Sequence, residues 1–237
     1  MKLFVISLKR STERRLRIEN QLNNAGVKFT FFDAVDGSIE KFKYHDRASP
    51  KKTKLRYGYT LTLNEIACYA SHLSMWEKCI QLDEPIIVLE DNCNIDESFY
   101  SNFDSFHKNI AKYKFIKLFI YFERKVRRVI ETVNDEINIV QYHRRGTGAQ
   151  GYILTPYVAK KLVENATEFI EPVDNYMEKP WRHGVKTYYY HPNLVTRAKI
   201  KSTIGSDRKN KKNLTIVNKL VIEVFRLYER YSSKLYR

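Results

Sequence analysis

The sequence predicts an α/β fold with a mixed, largely parallel central sheet and an amphipathic helix at its C-terminal end. Two short apolar runs, LFVISL at 3–8 and PIIVLE at 85–90, are typical of strands buried on both faces. Segments with helical periodicity alternate with such runs in the first half of the chain, and a hairpin pattern appears later. This alternation favours parallel pairing first and antiparallel pairing afterwards.

The N-terminal elements are predicted to form a strand, a helix and a second strand. After the first strand, Ser11 or Thr12 can cap a helix that runs to about Ala25. The segment VKFTFF at 27–32 then alternates as a strand does. This order implies parallel pairing of the two strands through a right-handed crossover.

The middle of the chain begins with a basic segment. Residues 41–60 contain seven Lys and Arg with little periodicity, which predicts a mobile loop. Thr62 and Glu65 have the spacing of a capping box at the start of a helix that extends to about Leu82. The strand at 85–90 follows, and then a helix near 97–111.

The later elements read as mostly antiparallel. A strand is predicted at 114–122, and KVRRVIETV and INIVQYH, joined at Asn134-Asp135, predict a hairpin. The strand YILT leads into Thr155-Pro156, which can cap and start a helix to about Ala166. A last strand is predicted at 186–190.

Size and composition exclude several classes of protein. The 237 residues, 43% of them hydrophobic, provide one large domain or two small ones with a real core, which rules out a disordered body. No apolar run reaches the roughly 18 residues that span a bilayer, and no secretory signal is expected. Three scattered cysteines predict no disulfide framework, which suits a reducing cytosol.

The net charge of +15 is unevenly distributed. Residues 197–237 hold 12 Lys and Arg against three acidic residues, a net charge of +9, whereas the first 196 residues carry only +6. The basic balance therefore belongs mainly to the C-terminal tail, which points to an anionic partner for that segment.

Two predicted strands end in polar clusters. Lys9-Arg10-Ser11 follows the first strand, and Glu90-Asp91-Asn92 follows the strand at 85–90. Ligands of open α/β sheets bind beyond the carboxyl ends of the strands, and a cationic end beside an acidic end suits a nucleotide diphosphate with its metal. The alternative is that the acids form a turn and the cations are solvated.

Six segments together carry a family resemblance. VISLKRSTERRLRIENQL, FFDAVDG, LNEIACYASHLSMWEKC, PIIVLEDN, GTGAQGYIL and EPVDNYM occur in the order seen in bacterial lipopolysaccharide glycosyltransferases. The chain resembles glycosyltransferase family 25, whose relatives include the collagen galactosyltransferases, over about residues 2–196. The resemblance implies a GT-A-like single catalytic domain at 1–196, and we expect a basic linker at 197–212 and a basic amphipathic helix at 213–237.

The resemblance also implies a UDP-sugar donor, usually UDP-galactose or UDP-glucose, and inversion at the anomeric carbon. It implies Mn²⁺ or Mg²⁺ at an acidic motif that usually reads EDD. Here Asn92 replaces the last acid and supplies an oxygen without a negative charge, so metal affinity should be lower. The expected metal ligands are Asp91, Asn92 and His191; a structural histidine beside a proline turn is the alternative for His191.

Residues that match the family's donor site are expected to bind the UDP-sugar. Arg14 would reach the diphosphate, with a solvated arginine as the alternative, and a core histidine is the alternative for His72. The full set is Ser7, Leu8, Arg10, Arg14, Asp36, Ser71, His72, Glu90 and Asp91.

An inverting transfer needs a carboxylate that removes the proton of the acceptor hydroxyl. Asp174 is the expected base and Asp91 its catalytic partner on the donor side, although Asp174 could instead be a helix N-cap. Glu178, one helical turn later, is the reserve base. The expected acceptor-side residues are Thr147, Gly148, Gln150 and Glu178.

The tail pattern predicts a basic amphipathic helix. One side carries Lys219, Glu223, Arg226, Arg230, Lys234 and Arg237, and the other carries Val217, Leu220, Val221, Val224, Tyr228, Tyr231 and Leu235. The apolar side could pack on the body or on a second subunit, giving a homodimer. We favour contact with an anionic membrane because the expected acceptor is a lipid-linked oligosaccharide. That acceptor implies a cytoplasmic protein, peripheral at the inner face of the bacterial inner membrane.

These observations favour an inverting hexosyltransferase that extends a lipopolysaccharide or lipooligosaccharide core. A basic nucleic-acid-binding protein is the first alternative, given a pI of about 9.6. We expect no nucleic-acid partner, because the charge is concentrated in the tail and no RNA-binding signature accompanies the tyrosines. A degenerate protein that binds sugar nucleotide without turnover is the second alternative, suggested by Asn92.

Overall fold

The computed structural model describes residues 1–122, 124–200 and 214–236 of the chain. Its strands are β1 (Lys2–Ser7), β2 (Thr30–Asp33), β3 (Ile86–Glu90), β4 (Cys93–Ile95), β5 (Phe115–Lys117), β6 (Val126–Thr132), β7 (Asn138–Tyr142), β8 (Gly151–Leu154), β9 (Tyr188–His191) and β10 (Val195–Arg197). Its helices are α1 (Thr12–Asn24), α2 (Pro50–Tyr57), α3 (Leu63–Leu82), α4 (Glu97–Ser101), α5 (Ser105–Tyr113), α6 (Pro156–Asn165), α7 (Val173–Met177), α8 (Pro180–His183) and α9 (Ile216–Leu235), with a 3₁₀ turn at His45–Arg47.

Within these residues, eight strands form one sheet in the order β2-β1-β3-β8-β5-β9-β7-β6. β1 pairs in parallel with β2 and β3, and β5 pairs in parallel with β9, whereas β8 and β7 pair antiparallel with their neighbours. Six of the eight strands therefore point in one direction. The predicted α/β fold with a mixed, largely parallel sheet is confirmed.

Both faces of the central sheet are buried, as the sequence of β1 predicts. Side chains alternate along a strand, so Leu3 and Val5 pack into one hydrophobic cluster with α1 and α5. Phe4 and Ile6 pack into the other cluster, which is formed with α3, α6 and α7. This alternation explains why the run is apolar at nearly every position.

The longest helix of the body starts at the predicted cap. Thr62 and Glu65 form a reciprocal capping box at the start of α3, as predicted. Tyr69, Leu73 and Trp76 then bury one side of α3 under the sheet. The predicted β6–β7 hairpin and the helix that begins after Thr155 are also confirmed.

Three predicted elements differ from the structure. The basic segment 41–60, predicted as a mobile loop, contains the 3₁₀ turn and α2, which ends at Gly58 in a left-handed conformation with φ of 78°. The helix predicted near 97–111 is divided into α4 and α5, and the strand predicted at 114–122 is paired only over Phe115–Lys117. Sequence periodicity missed α2 because little of it is buried apart from Thr53.

The tail helix α9 lies against α2 and α8. Ile222 is buried there, and the guanidinium of Arg56 stacks on the ring of Phe225 at 5.0 Å. Buried Lys179 forms an ion pair with Glu229 of the helix. The side of α9 that contacts the body therefore lies at one boundary between the predicted basic side and the predicted apolar side of the helix.

Most other apolar residues of α9 point to solvent. Eight of them are more than half exposed: Ile216, Val217, Leu220, Val224, Leu227, Tyr228, Tyr231 and Leu235. Val221, which was predicted on the apolar side, is half-buried. β10 includes Arg197, the first residue of the predicted linker, and most of that linker lies outside the described residues. Among the described helices, none combines the length and apolar composition needed to cross a bilayer.

Candidate active site

A cavity opens at the carboxyl ends of β1 and β3. These strands are parallel neighbours with Ile6 opposite Glu90, so the residues that follow each strand meet at the same edge. The walls come from α3 and from the loop after β2, and the cavity measures about 680 Å³ including its open mouth. Seven of the nine predicted donor residues line it: Ser7, Leu8, Arg14, Ser71, His72, Glu90 and Asp91.

Asp91 is the most deeply placed acid of this cavity. Its carboxylate accepts a hydrogen bond of 2.7 Å from the hydroxyl of Ser7 and one of 3.2 Å from the guanidinium of Arg14. Burial raises the pKa of Asp91 above its usual value, while the Ser7 hydrogen bond and the charge of Arg14 oppose that rise. Ionisation of the Asp91 carboxyl is therefore less favourable in the folded protein than in the unfolded chain.

Helix α1 presents three arginines to this edge of the sheet, and position decides their roles. Arg15 donates to the carbonyls of Ser7 and Leu8, and Arg17 donates to the carbonyls of Asp91 and Cys93. Both therefore satisfy backbone groups at the strand ends. Of the three, only Arg14 lines the cavity, which agrees with its predicted place at the donor.

The remaining two predicted donor residues form an ion pair beside the cavity. Arg10 donates to both carboxylate oxygens of Asp36 at 2.7 and 2.8 Å, a bidentate pair that ties the loops after β1 and β2 together. The next residue, Gly37, lines the cavity, and a Cβ there would lie 2.7 Å from Asn64 Oδ1. A glycine is therefore required where this loop passes α3.

His72 belongs to a buried hydrogen-bond chain. The indole of Trp76 donates to the Tyr152 hydroxyl at 3.1 Å, and that hydroxyl lies 2.9 Å from His72 Nδ1. His72 Nε2 lies 3.1 Å from Glu90 Oε1. If the Tyr152 hydroxyl donates to Nδ1, Nε2 carries the proton and donates to Glu90, so the chain orients the imidazole towards the cavity.

A second cavity adjoins the first one. Both cavities are lined by Cys68, Glu90 and Asn92, and the second extends to Gln150 and Asp174. The backbone N–H of Glu90 donates to the carbonyl of Gln150 at 2.9 Å, which fixes the two cavities relative to each other. The predicted donor and base residues thus lie along one continuous depression.

Asp174 lies at the start of α7 and is half-buried. Its Oδ2 accepts a hydrogen bond of 3.2 Å from the N–H of Gly148, and its Oδ1 accepts one of 2.9 Å from the N–H of Asn175. The carboxylate therefore orients the loop that contains Gly146 and Gly148, called the glycine loop below, as well as the first turn of its own helix. A carboxylate oxygen has a second lone pair, so each can still accept a further proton donor.

Two buried oxygens beside this cavity lack a hydrogen-bond partner among the described residues. They are Oδ1 of Asn92 and Oε1 of Gln150. Orphaned oxygens in a polar cavity fit a hard divalent cation, which takes carboxylate and amide oxygens as ligands. The side chains of Asp91 and Asn92 therefore fit the predicted Mn²⁺ or Mg²⁺ site.

Besides Arg10 and Asp36, three predicted residues line neither cavity. Thr147 only approaches them, because its carbonyl accepts from the N–H of Tyr121 at 2.7 Å. His191 contacts the Tyr142 hydroxyl at 3.1 Å and lines a neighbouring depression, so the structure does not bring it to Asp91. Its place at the end of β9 could not be located relative to β3 from sequence, since the strand order was unknown.

Glu178 is the third of these residues. It is buried and forms an ion pair of 2.7 Å with Lys117, which is fully buried in β5. It also accepts from the N–H of Gly146 at 3.1 Å and from the Tyr189 hydroxyl. The structure therefore gives Glu178 a supporting role behind the glycine loop.

Sequence reasoning missed several cavity residues. Cys68 lines both cavities and Asn64 lines the first, while Tyr121 and Arg197 line the second. Positions 64, 68, 71 and 72 share one face of a helix, so the periodicity of α3 could have added the first two. Tyr121 lies in an irregular segment after β5, and Arg197 ends the short strand β10, so neither position has a helical periodicity that could have marked it.

A polar cavity at the carboxyl ends of parallel strands is where open α/β sheets bind their ligands, so the fold and the cavity define a ligand-binding α/β protein. Comparison with known proteins narrows this class. The model of glycosyltransferase family 25, described as a lipopolysaccharide biosynthesis protein family, matches residues 1–177. The chain belongs to glycosyltransferase family 25.

Curated relatives agree with this assignment. A glycosyltransferase 25 family member of Drosophila pseudoobscura pseudoobscura is 28% identical over 78% of this chain and 31% of its own length. Procollagen galactosyltransferase 2 of Homo sapiens is 28% identical over 79% of this chain and 32% of its own length. Lipooligosaccharide biosynthesis protein lic2B of Haemophilus influenzae is 26% identical over 67% of this chain and 61% of its own length. The chain spans about a third of the length of the insect and human relatives.

Among solved structures, a glycosyltransferase involved in glycosylation of the major capsid of PBCV-1 is similar over 95% of this chain and 98% of its own. The TM-score is 0.45 and the sequence identity is 5%.

Proposed function

We propose that this protein is an inverting glycosyltransferase that moves galactose or glucose from a UDP-sugar to a lipopolysaccharide or lipooligosaccharide core. The observation that carries the proposal is the junction of the two cavities at Glu90 and Asn92. A donor held by the strand ends would direct its anomeric carbon towards the cavity that contains Asp174. Such an arrangement supports direct displacement on a bound sugar by a hydroxyl of the acceptor.

Asp174 is the proposed general base. Backbone N–H groups of Gly148 and Asn175 fix both of its oxygens, so the carboxylate is oriented before the acceptor arrives. As the acceptor oxygen forms its bond to the anomeric carbon, its proton passes to Asp174. The bond from that carbon to the UDP oxygen breaks at the same time.

The departing UDP carries negative charge that must be stabilised. Arg14 lines the cavity and is only 16% exposed, which favours a strong interaction with the diphosphate. Mn²⁺ or Mg²⁺ held by Asp91 and Asn92 would supply Lewis-acid stabilisation of that leaving group. Ser7 supports this arrangement by orienting the carboxylate of Asp91.

Relatives support the choice of sugar and acceptor. One is named for lipooligosaccharide biosynthesis and another for galactosyl transfer to procollagen. We favour the bacterial type of acceptor because of α9, whose exposed apolar stripe adjoins a basic side with Lys219, Arg226, Arg230 and Lys234. An exposed apolar stripe beside a basic one suits an anionic membrane surface.

This part of the proposal includes location. The protein would be cytoplasmic and peripheral at the inner face of a bacterial inner membrane, where a lipid-linked acceptor is available. Sedimentation with vesicles of anionic or zwitterionic lipid tests this step. Leu220→Glu should reduce binding to anionic vesicles, whereas Glu223→Gln, a control on the same helix, should retain it. If the wild type and both variants sedimented equally with anionic and zwitterionic vesicles, the proposed membrane contact would be contradicted.

Thermal unfolding with UDP, UDP-glucose, UDP-galactose and UDP-N-acetylhexosamines, with and without Mn²⁺, tests the donor site. A ligand that binds only the folded state raises Tm by mass action. We expect stabilisation by UDP and by at least one UDP-hexose, together with UDP release when a lipooligosaccharide acceptor is added. UDP binding without release under any acceptor condition would favour the degenerate sugar-nucleotide-binding alternative.

Matched arginine variants connect this result to the proposed cavity. Arg14→Gln should weaken the shift caused by UDP, because it removes the proposed contact with the diphosphate. Arg128→Gln changes an exposed arginine of β6, outside both cavities, and should leave the shift unchanged. A shift caused equally well by RNA, or one unaffected by Arg14→Gln, would contradict the donor assignment.

A further inference from the structure

We propose that Cys68, His72 and Glu90 form a binding site for a thiophilic divalent cation such as Zn²⁺. The thiol sulfur, a ring nitrogen and a carboxylate oxygen of these residues all lie within 4.8 Å of one another. They lie where the two cavities meet, and this set is different from the amide oxygens of Asn92 and Gln150 described above.

Secondary structure brings the three ligands together. Cys68 and His72 are four residues apart on α3, so they lie one above the other on the same face of the helix. Glu90 ends β3, where its N–H is fixed by the carbonyl of Gln150. Both α3 and β3 are regular elements packed in the core. The three side chains would therefore lose little conformational freedom when they bind the ion.

The spacing is close to that of a tetrahedral zinc site. Zn–S bonds near 2.3 Å and Zn–N or Zn–O bonds near 2.1 Å place the ligand atoms about 3.3–3.6 Å apart. His72 Nε2 and Glu90 Oε1 are already 3.1 Å apart, and the sulfur is within 4.8 Å. A rotation of the Cys68 side chain is the main adjustment required.

Hydrogen bonds with neighbouring residues orient two of the three proposed ligands, His72 and Glu90. When Nε2 binds the proposed ion, the proton lies on Nδ1, which donates to the Tyr152 hydroxyl 2.9 Å away; this is the opposite tautomer to the one that donates to Glu90 without a metal. The second carboxylate oxygen of Glu90 accepts from the amide of Asn92 at 3.0 Å. Such contacts orient the ligands and typically contribute to metal affinity.

The ligand types decide between cations. A thiolate and an imidazole favour Zn²⁺ or Co²⁺, whereas Mg²⁺ and Mn²⁺ favour oxygen ligands. Three protein ligands beside a cavity leave a fourth position for water or another small ligand. If the proposed donor site is correct, an ion here would compete with the UDP-sugar for His72 and Glu90, so zinc would inhibit transfer.

Titration of the untagged, reduced protein with Co²⁺ and Zn²⁺ tests the site. We expect a thiolate-to-cobalt charge-transfer band that disappears when Zn²⁺ is added and is missing in Cys68→Ser. Zinc affinity should fall about tenfold or more in Cys68→Ser and in His72→Gln. It should be retained in His143→Asn, which changes an exposed histidine. Unchanged zinc affinity in Cys68→Ser, or a cobalt spectrum without the thiolate band, would overturn the proposal.

Alkylation of the wild-type chain provides a measurement that needs no variant. Cys79 and Cys93 are fully buried, whereas Cys68 is half-buried and borders the cavities, so Cys68 should react first. Zn²⁺ should slow that reaction, and an unchanged rate at saturating zinc would contradict the site. Both measurements omit sugar nucleotide, so a failure of the proposed transferase function would leave this result intact, and the converse also holds.

Discussion

The hydroxyl of Ser7, at the end of β1, donates a hydrogen bond of 2.7 Å to the carboxylate of Asp91, which follows β3. Eighty-four residues separate the two in sequence. Parallel pairing of β1 with β3 brings them together, and Arg14 approaches the same carboxylate from α1. The candidate donor site is therefore assembled by strand order, and the following predictions depend on it.

Asp91→Asn should remove most of the transferase activity without lowering stability at neutral pH. Loss of an electrostatic contribution to the transition state typically costs about 100-fold or more in kcat. Since burial raises the pKa of Asp91 in the folded state, ionisation there opposes folding. Its contribution to stability is greatest below the ordinary carboxyl pKa of 3.8 and is lost as pH rises through the folded-state pKa.

Urea unfolding at several pH values measures this effect. Asp91→Asn should match or exceed the wild-type free energy of unfolding at pH 7, and the advantage should shrink towards pH 4. Asp135→Asn, in the exposed turn between β6 and β7, is the control. A variant that is inactive only because it is unfolded at pH 7 would contradict the prediction.

Asp174→Asn should lower kcat by about 10²–10⁴-fold while UDP affinity stays close to that of the wild type. The reason is that the base acts on the acceptor hydroxyl, whereas UDP is proposed to bind in the adjoining cavity. Single-turnover rates together with UDP-induced shifts in Tm separate the two effects. A large loss of UDP affinity with an unchanged rate at saturating donor would assign Asp174 to the donor site instead.

Glu178→Leu should destabilise the fold by about 3–5 kcal/mol, because it leaves the buried ammonium of Lys117 without its ion pair. Chemical denaturation measures the loss. The double variant Lys117→Met with Glu178→Leu should recover much of it, since no uncompensated charge remains in the core. Normal stability of Glu178→Leu would instead make Glu178 available as the reserve base.

His183 should make the folded state sensitive to mild acid. Burial lowers the pKa of His183 from 6.5 to about 4, and its two ring nitrogens already contact the carbonyl of Tyr176 and the N–H of Val185. Its stabilising contribution is therefore present above pH 6.5 and is lost as pH falls through about 4. Unfolding free energies at pH 7, 5.5 and 4.5 should decline less steeply in His183→Gln than in His143→Asn, the exposed control. Parallel slopes would show that other groups control the acid response.

Glu229→Gln should loosen α9 from the body. Burial pushes the pKa of Glu229 upward, but Lys179 and Arg145 outweigh it and hold that pKa below the ordinary 4.5. The contact should therefore be strong above pH 4.5 and should weaken as pH falls through the folded-state pKa. Amide exchange in residues 216–235 should accelerate at least about tenfold in Glu229→Gln. Glu223→Gln breaks only an exposed pair with Arg226 and should have little effect.

Much of the local structure could be predicted because its signals are local. The continuous apolar run of β1, the capping box at Thr62 and the hairpin at 126–142 each depend on residues close in sequence. α2 was missed because its place depends on α9, more than 150 residues later, which supplies Phe225 to stack on Arg56. A short helix with such a distant partner leaves little periodicity in its own segment.

The candidate site likewise has some features that the sequence predicts locally and others that depend on contacts between distant segments. The sequence proposed Ser7, Arg14 and Asp91 from the ends of two predicted strands and a family resemblance, and the structure brings all three to one cavity. Only the structure explains why Arg14 reaches the cavity while Arg15 and Arg17 do not, because those two arginines donate to backbone carbonyls at the strand ends. For Glu178, the deciding fact was burial beside Lys117, which no local pattern reveals.

By itself, the sequence determined the class of fold, the order of its elements, the amphipathic tail and the chemical types at the strand ends. Those properties follow from periodicity, capping and composition, which act over a few residues. Tertiary structure alone decided that Cys68 borders both cavities, that His191 lies outside them and that the apolar stripe of α9 faces solvent. Those properties depend on strand order and on contacts between distant segments, because burial and proximity are set by the packed chain as a whole.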